Sequence, residues 1–358
     1  MEKTTMMRRV VVPALTATAI AGAAAAPAGA MTKGLEDDAM VLSDDPALRQ
    51  AFWTAAKEAK VKVVRVVPKW DTKATTIEPI QLLRVRRAID EGRAVGAKLL
   101  VGIYQGAYRG KSRTARVSSS FQTNYIRYFQ SLAQGIADKP VYGYLSWNEP
   151  NYGTTWPQAR AKDWVKLSNR TYSAIKRVDK GAKVFVGETA PNVRNTGGKS
   201  TDPGKFFRTA LGLNSKFKRS SKATKLKGDG FTLHTYDFVN APNKAPKNKD
   251  AWVHGNLKDV VSQIKKLAKS GRLDSKAAKN IHITEFAYRS EPPNNKFSES
   301  KVSTYTRSAW NSAKKLKIKS FTWYMLRNPV SERDNFRSGL QDSTGKPFKV
   351  WSTFKKLK

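Results

Sequence analysis

The chain has 358 residues, 40% of them hydrophobic, and no cysteine. That is enough apolar material for a large core, and it excludes disulfides, thiolate nucleophiles and zinc–thiolate centres. With 66 Lys and Arg against 28 Asp and Glu the formal charge is +38, a field that attracts polyanions such as acidic polysaccharide, anionic envelope polymers or nucleic acid. The basic residues fall in scattered clusters, for example "KFKRSSKATKLKG" at 216–228 and "NKAPKNK" at 243–249. They do not form one compact patch with interleaved aromatics. Loose association with an anionic matrix is expected, without a specific nucleic-acid site.

The first 30 residues read as a unit of their own. Arg8 and Arg9 precede an apolar run from Val10 that ends in Ala28-Gly29-Ala30, the pattern of a cleaved secretory signal peptide. A membrane anchor fits less well, because Ala, Gly, Thr and two prolines make the run only mildly apolar. No later stretch is apolar for long enough to span a bilayer, so an exported, soluble protein is expected. Residues 31–39 read as a short lead-in and residues 40–358 as one folded domain.

Within that domain short β-branched or aromatic runs alternate with longer amphipathic ones. Strands are predicted at 40–43, 62–67, 98–104, 141–147, 183–188, 231–238, 281–288 and 320–326. Helices are predicted between them. The first starts at Asp45 and puts Leu48, Phe52, Ala55, Ala56 and Ala59 on one face. The second runs from Thr76 to Gly96. Others follow at 119–138, 158–179, 202–213, 257–271, 298–316 and 348–357. Strand–helix alternation of this kind implies parallel β-α units, and eight units in one chain suit a single-domain (β/α)8 barrel. An open doubly wound sheet is the runner-up. It needs a Gly-rich phosphate turn after the first strand, and "VLSDDPAL" has none. The least apolar stretches follow the fifth, sixth and seventh strands, where a barrel carries its active-site loops.

Other chemistries find no support. The three histidines lack a His-Glu-x-x-His pattern. "GGKS" at 197–200 lacks the upstream glycine of a phosphate loop, position 193 being Val. No Gly-x-Ser-x-Gly elbow and no dinucleotide fingerprint occurs. Neither a metal nor an organic cofactor is therefore called for.

The strand tips carry the chemistry. Glu149 ends the fourth predicted strand just before Pro150, and Glu285 ends the seventh. In a barrel these tips face each other across the mouth. Two carboxylates about 5–5.5 Å apart suit a retaining glycosidase, and about 6.5–9.5 Å an inverting one. Arg65 on the second strand offers an opposite charge that would keep one carboxylate ionised. His234 and Tyr236 are two apart and share a face; Tyr236 is placed to donate to a carboxylate and His234 to bond a sugar hydroxyl. Trp323 offers an aromatic plane for a sugar ring. Asn148 and Glu149 are adjacent, so the strand end must be irregular for both to enter. Glu188 is a third tip carboxylate, a candidate rim partner or subsite residue. His282 is read as a packing residue facing the helices and His254 as a loop residue. Trp70, Tyr104, Trp156 and Trp252 are candidates for outer subsites.

"WNEPN" at 147–151 and "TEF" at 284–286 resemble the signatures of the clan A glycoside hydrolases, the retaining (β/α)8 enzymes, with similarity to families 39 and 5. The tail "GLQDSTGKPFKVWSTF" at 339–354 is also similar to these enzymes before their last helix. The resemblance spans the chain from about Met40. It implies Glu149 as acid/base, Glu285 as nucleophile, and Asn148 at the sugar 2-hydroxyl. Arg65, His234, Tyr236 and Trp323 match the clan's supporting positions. An oligo- or polysaccharide substrate follows, and catalysis without metal or cofactor. The alternatives are a carbohydrate-binding barrel without turnover and a basic envelope- or polyanion-associated protein.

Overall fold

The computed structural model describes residues 30–106, 117–193, 199–292, 295–330 and 336–358. All but the last residue of the predicted signal peptide lies outside them. Eight strands form a closed parallel barrel in chain order, β8 pairing back onto β1. They are β1 (Thr32–Glu36), β2 (Val63–Val66), β3 (Lys98–Val101), β4 (Gly143–Leu145), β5 (Val184–Thr189), β6 (Gly230–His234), β7 (Ile281–Phe286) and β8 (Ser320–Tyr324). The single-domain (β/α)8 expectation is met.

The first strand is not where the sequence pattern put it. Residues 40–43 lie in and just after α1 (Asp38–Val41), a short helix whose cap Asp37 accepts from the Met40 N–H. The barrel instead begins with "TKGLE", inside the stretch read as a lead-in. Gly34 hides this strand from a propensity reading, yet the barrel needs it. An added Cβ there would overlap the Thr322 side chain of β8.

The helices form the outer layer: α2 (Pro46–Glu58), α3 (Pro79–Ala94), α4 (Ser119–Gly135), α5 (Ala161–Val178), α6 (Pro203–Ala210), α7 (Leu257–Lys269), the short α8 (Ser275–Lys279), α9 (Glu299–Lys315) and α10 (Lys349–Lys356). Asp45 caps α2, accepting from the Ala47 N–H at 2.8 Å. α3 starts later than the expected Thr76 because Pro79 takes the first helical turn, where its fixed φ suits and its missing N–H costs nothing. Among the described residues no helix is long and apolar enough to cross a membrane.

Alternation along the strands makes two apolar layers. Outward residues such as Val64, Val66, Leu99 and Val101 pack under the helices. Inward residues Val63, Leu100, Leu145 and Phe185 plug the lower barrel. His282 belongs to this inner plug rather than to the helix layer: its ring lies 4.8 Å from Phe185 and its Nδ1 is 2.9 Å from the Ser320 hydroxyl. Above the plug the inward residues turn polar, and the mouth begins.

Candidate active site

Irregular strand ends build the site. After Leu145, Ser146 and Trp147 turn outward; the Ser146 carbonyl accepts from Tyr125 at 2.7 Å, and Trp147 packs 4.9 Å from Tyr125 and 5.4 Å from Trp156. Asn148 and Glu149 then both enter the mouth. Glu149 does so at φ +47°, a left-handed conformation that costs a β-carbon residue about 1–3 kcal/mol. Two bonds hold it there: its N–H donates to the Glu188 carbonyl at 2.8 Å, and its own carbonyl accepts from the Thr155 hydroxyl. Asn148 accepts from Arg65 Nη2 at 2.8 Å through Oδ1, and from Gln105 at 2.9 Å through its carbonyl.

Glu285 enters by a bulge. Leu233 pairs with Ile283, but His234 pairs with Glu285, so β7 carries one extra residue. The inward set on β7 thus reads His282, Thr284 and Glu285, against strict alternation. β5 bulges similarly against β6. Gly187 at φ +128° and Glu188 at φ +50° swing the Glu188 carboxylate to the axis.

These side chains meet around two cations. Arg65 Nη1 lies 2.9 Å from Glu285 Oε1 and also bonds Glu36; Nη2 lies 2.6 Å from Glu188. His234 Nδ1 lies 3.0 Å from Glu149, and Nε2 lies 3.4 Å from Glu188 and 3.3 Å from Glu285. The Tyr236 hydroxyl donates to Glu285 Oε2 at 2.8 Å. Thr284 donates to Glu188 at 2.5 Å. One carboxylate oxygen of Glu149 and one of Glu285 lie within 4.8 Å of each other.

Burial and charge divide the protons. Burial would raise the Glu188 carboxyl, but the Arg65 and His234 charges overcome it and hold it at about 2. Burial raises Glu285 above the usual carboxylate value, and His234 and Arg65 offset this only in part. Glu36, wholly buried, is raised well above normal for the same reason. Burial alone would lower His234; Glu285, Glu188 and Glu149 overcome that and raise it to about 10. Burial and the Glu285 charge keep the Tyr236 phenol protonated, so it remains a donor. Glu149, His234 and Glu285 are close enough to hold a metal ion. A protonated imidazole has no lone pair to give, so this set suits hydrogen bonding better than coordination.

The cluster floors a cavity of about 1180 Å³ lined by Asn148, Glu149, Tyr152, Tyr236, Phe238, Glu285 and Tyr324 among others. That exceeds the roughly 300–1,000 Å³ of a typical small-ligand pocket and leaves space for more than one sugar ring. Arg65, Asn148, Glu149, Tyr236 and Glu285 all line it.

Two expected residues take other places. Trp323 points out of the barrel. It is fully buried, donates to the Ser338 carbonyl at 2.9 Å and packs against Phe286 and Phe354. Its neighbour Tyr324 faces the cleft instead. His234 is fully buried beneath Glu149, bonded to that carboxylate rather than presented to a sugar hydroxyl. Among the outer candidates Tyr104 lines the cavity. Trp70, Trp156 and Trp252 are buried in aromatic packing. His254 also packs, with Nε2 at 2.7 Å from the Ser312 hydroxyl.

The sequence reading missed Glu36 and Tyr324 and undervalued Glu188. The polar stripe Ser320, Thr322, Tyr324 on β8 would have placed Tyr324 inward by alternation. Glu36 was invisible once the first strand was misplaced.

Residues 31–326 match the family described as Cellulase (glycosyl hydrolase family 5). Among solved structures, a family 39 glycoside hydrolase from the gut symbiont Bacteroides cellulosilyticus WH2 is similar at TM-score 0.61 and 15% identity, over 91% of this chain and 63% of that one. This chain thus spans under two thirds of that enzyme. A GH5_18 protein from Bifidobacterium longum subsp. infantis is similar at TM-score 0.61 and 13% identity, over 92% and 78%. A family 5 xyloglucanase from Paenibacillus pabuli is similar at TM-score 0.57 and 15% identity, over 92% and 98%. No curated protein matches the sequence.

Proposed function

This chain belongs to the Cellulase family, glycosyl hydrolase family 5, and from that premise we propose that it is a retaining glycosidase acting on an oligo- or polysaccharide. The carrying observation is the pair Glu149 and Glu285, on facing strand tips with carboxylate oxygens within 4.8 Å. That spacing suits direct attack and leaves too little room for the water that inversion requires.

In this reading Glu285 attacks the anomeric carbon. Arg65 and Tyr236 grip its two oxygens at 2.9 and 2.8 Å, which fixes its aim. Glu149 protonates the leaving oxygen, then deprotonates the incoming water. His234 holds Glu149 from below. Asn148, anchored by Arg65 and Gln105, faces the cavity beside the pair, where a sugar 2-hydroxyl would lie. Tyr324 takes the place proposed for Trp323 as the aromatic wall. No step calls for a metal or cofactor. A sugar acceptor reaching the intermediate in place of water would give transglycosylation.

The mildly apolar, basic-led N-terminal stretch supports export. The +38 charge supports loose retention on an anionic matrix.

The anomer first released from an aryl glycoside panel, read by NMR, tests the mechanism. Retention is expected, and Glu149→Gln should slow turnover about 10²–10⁴-fold. Initial release of the inverted anomer would refute it.

A further inference from the structure

Arg289 lies three residues beyond β7 and lines the same cavity as Glu285. Its guanidinium carbon sits 4.7 Å from the Phe238 ring centroid. Phe238 is itself braced by Tyr236 at 5.1 Å and Phe336 at 5.2 Å. Arg289 Nε is buried and meets no acceptor, and among the described residues no carboxylate lies within ion-pair distance of Arg289. The acids around the cavity are already engaged. Asp37 accepts from the N–H groups of Met40 at 3.2 Å and Arg327 at 3.0 Å, and Asp38 from that of Val67 at 3.0 Å. Asp237 accepts from Asn240 at 3.0 Å.

The cleft therefore holds a half-buried cationic fork, pre-oriented on an aromatic face, whose donor demand is unmet among the described residues. A sugar hydroxyl would satisfy one N–H but none of the charge. A carboxylate satisfies both, through two parallel N–H···O bonds. We propose that the substrate is an acidic glycan and that Arg289 receives the carboxylate of a uronic acid residue bound in the cleft. The proposal rests on the glycosidase reading and adds the substrate class. The +38 charge fits it, because a cationic field draws a polyanionic chain toward the mouth. Burial raises Glu36, Asp37 and Asp38, which reduces the negative charge that such a substrate would meet.

The test separates binding from turnover. Calorimetry on the Glu285→Gln protein would use oligogalacturonate, glucuronoxylan and hyaluronan oligosaccharides, each against its carboxyl-reduced counterpart, with a sulfated glycan as a further arm. Ionic strength near 1 M, where screening acts within ~3 Å, suppresses the diffuse field. At least one acidic oligosaccharide should bind about tenfold or more tightly than its reduced form, as a charge-assisted pair implies. Adding Arg289→Gln should erase that preference, and Arg289→Lys should keep part of it. Equal binding of the reduced forms, a preference that survives Arg289→Gln, or tighter Arg289-dependent binding of the sulfated glycan would each overturn the proposal. Hydrolysis of the same acidic and carboxyl-reduced oligosaccharides, and of aryl glycosides, by the wild type separates the two readings. Turnover without any carboxylate preference removes the acidic-glycan inference alone. Arg289-dependent binding with no turnover removes the glycosidase reading and leaves the anion site.

Discussion

Two adjacent residues on β8 have opposite surroundings. Trp323 is core and Tyr324 is cleft, so their substitutions should separate stability from binding. Trp323→Ala should destabilise the fold by about 3–5 kcal/mol, as large-to-small core changes do. Tyr324→Ala should instead raise KM with a small change in denaturation midpoint. Denaturant titration beside steady-state kinetics checks both, and the reverse pattern would restore Trp323 to the site. Glu285 makes a second case. Its carboxyl is raised above the usual value because it is buried and lies beside the Glu149 and Glu188 charges, which His234 and Arg65 offset only in part. The proposed nucleophile must be ionised, so the acid limb of kcat/KM should lie above 4.5, the value of an ordinary glutamate. A limb at or below that value would mean that the His234 and Arg65 charges outweigh burial at Glu285. At this scale the sequence was legible where a motif was local. "WNEPN" and "TEF" delivered Glu149 and Glu285. The role of His234 was not, since period two gives a face but not a depth, whereas alternation along β8 already turns Trp323 outward and Tyr324 into the cleft.

Bulges, which no propensity registers, decided what entered the site. Strict alternation from His282 would turn Glu285 outward, and the extra residue on β7 turns it in. On β5 the same work falls to Gly187 and Glu188, both at positive φ. An alanine at 187 would carry a strained φ and push its Cβ into the Thr232 carbonyl oxygen. Gly187→Ala, which at an unstrained site would stabilise by up to ~1 kcal/mol, should here destabilise by more than that and lower kcat by displacing Glu188 from Arg65. Wild-type activity and midpoint in that variant would show the bulge to be dispensable. Strand order and most helices were readable from alternation. β1 was not, because its five residues include Gly34 and only one β-branched side chain, Thr32. β1 is specified by partners on both sides, β2 and β8, which are distant in the chain.

For the molecule as a whole, folding buries titratable groups far from the mouth. His282 and His254 are lowered by burial to about 3 and about 4. Below about 6.5 the unfolded chain binds protons that the folded one refuses, so stability falls with pH in that range. Their contribution is fully present above 6.5 and lost as pH falls toward 3. Between pH 7 and 4 the two histidines pull the denaturation midpoint down, while Glu36, Asp37, Asp38 and Glu285, whose carboxyls are raised, act in the opposite direction. His282→Gln should therefore raise the midpoint at pH 4 relative to pH 7 when compared with the wild type, and an unchanged pH dependence would mean that His282 is protonated in the fold. The barrel thus supplies a neutral, packed base under a charged mouth, and the proposed chemistry depends on that mouth alone. A mechanism-based 2-fluoroglycoside, followed by peptide mass mapping, interrogates it at one atom. The label is expected on Glu285, and Glu285→Gln should abolish it. Labelling of another carboxylate, or none from any sugar that the wild type hydrolyses, would contradict the assignment.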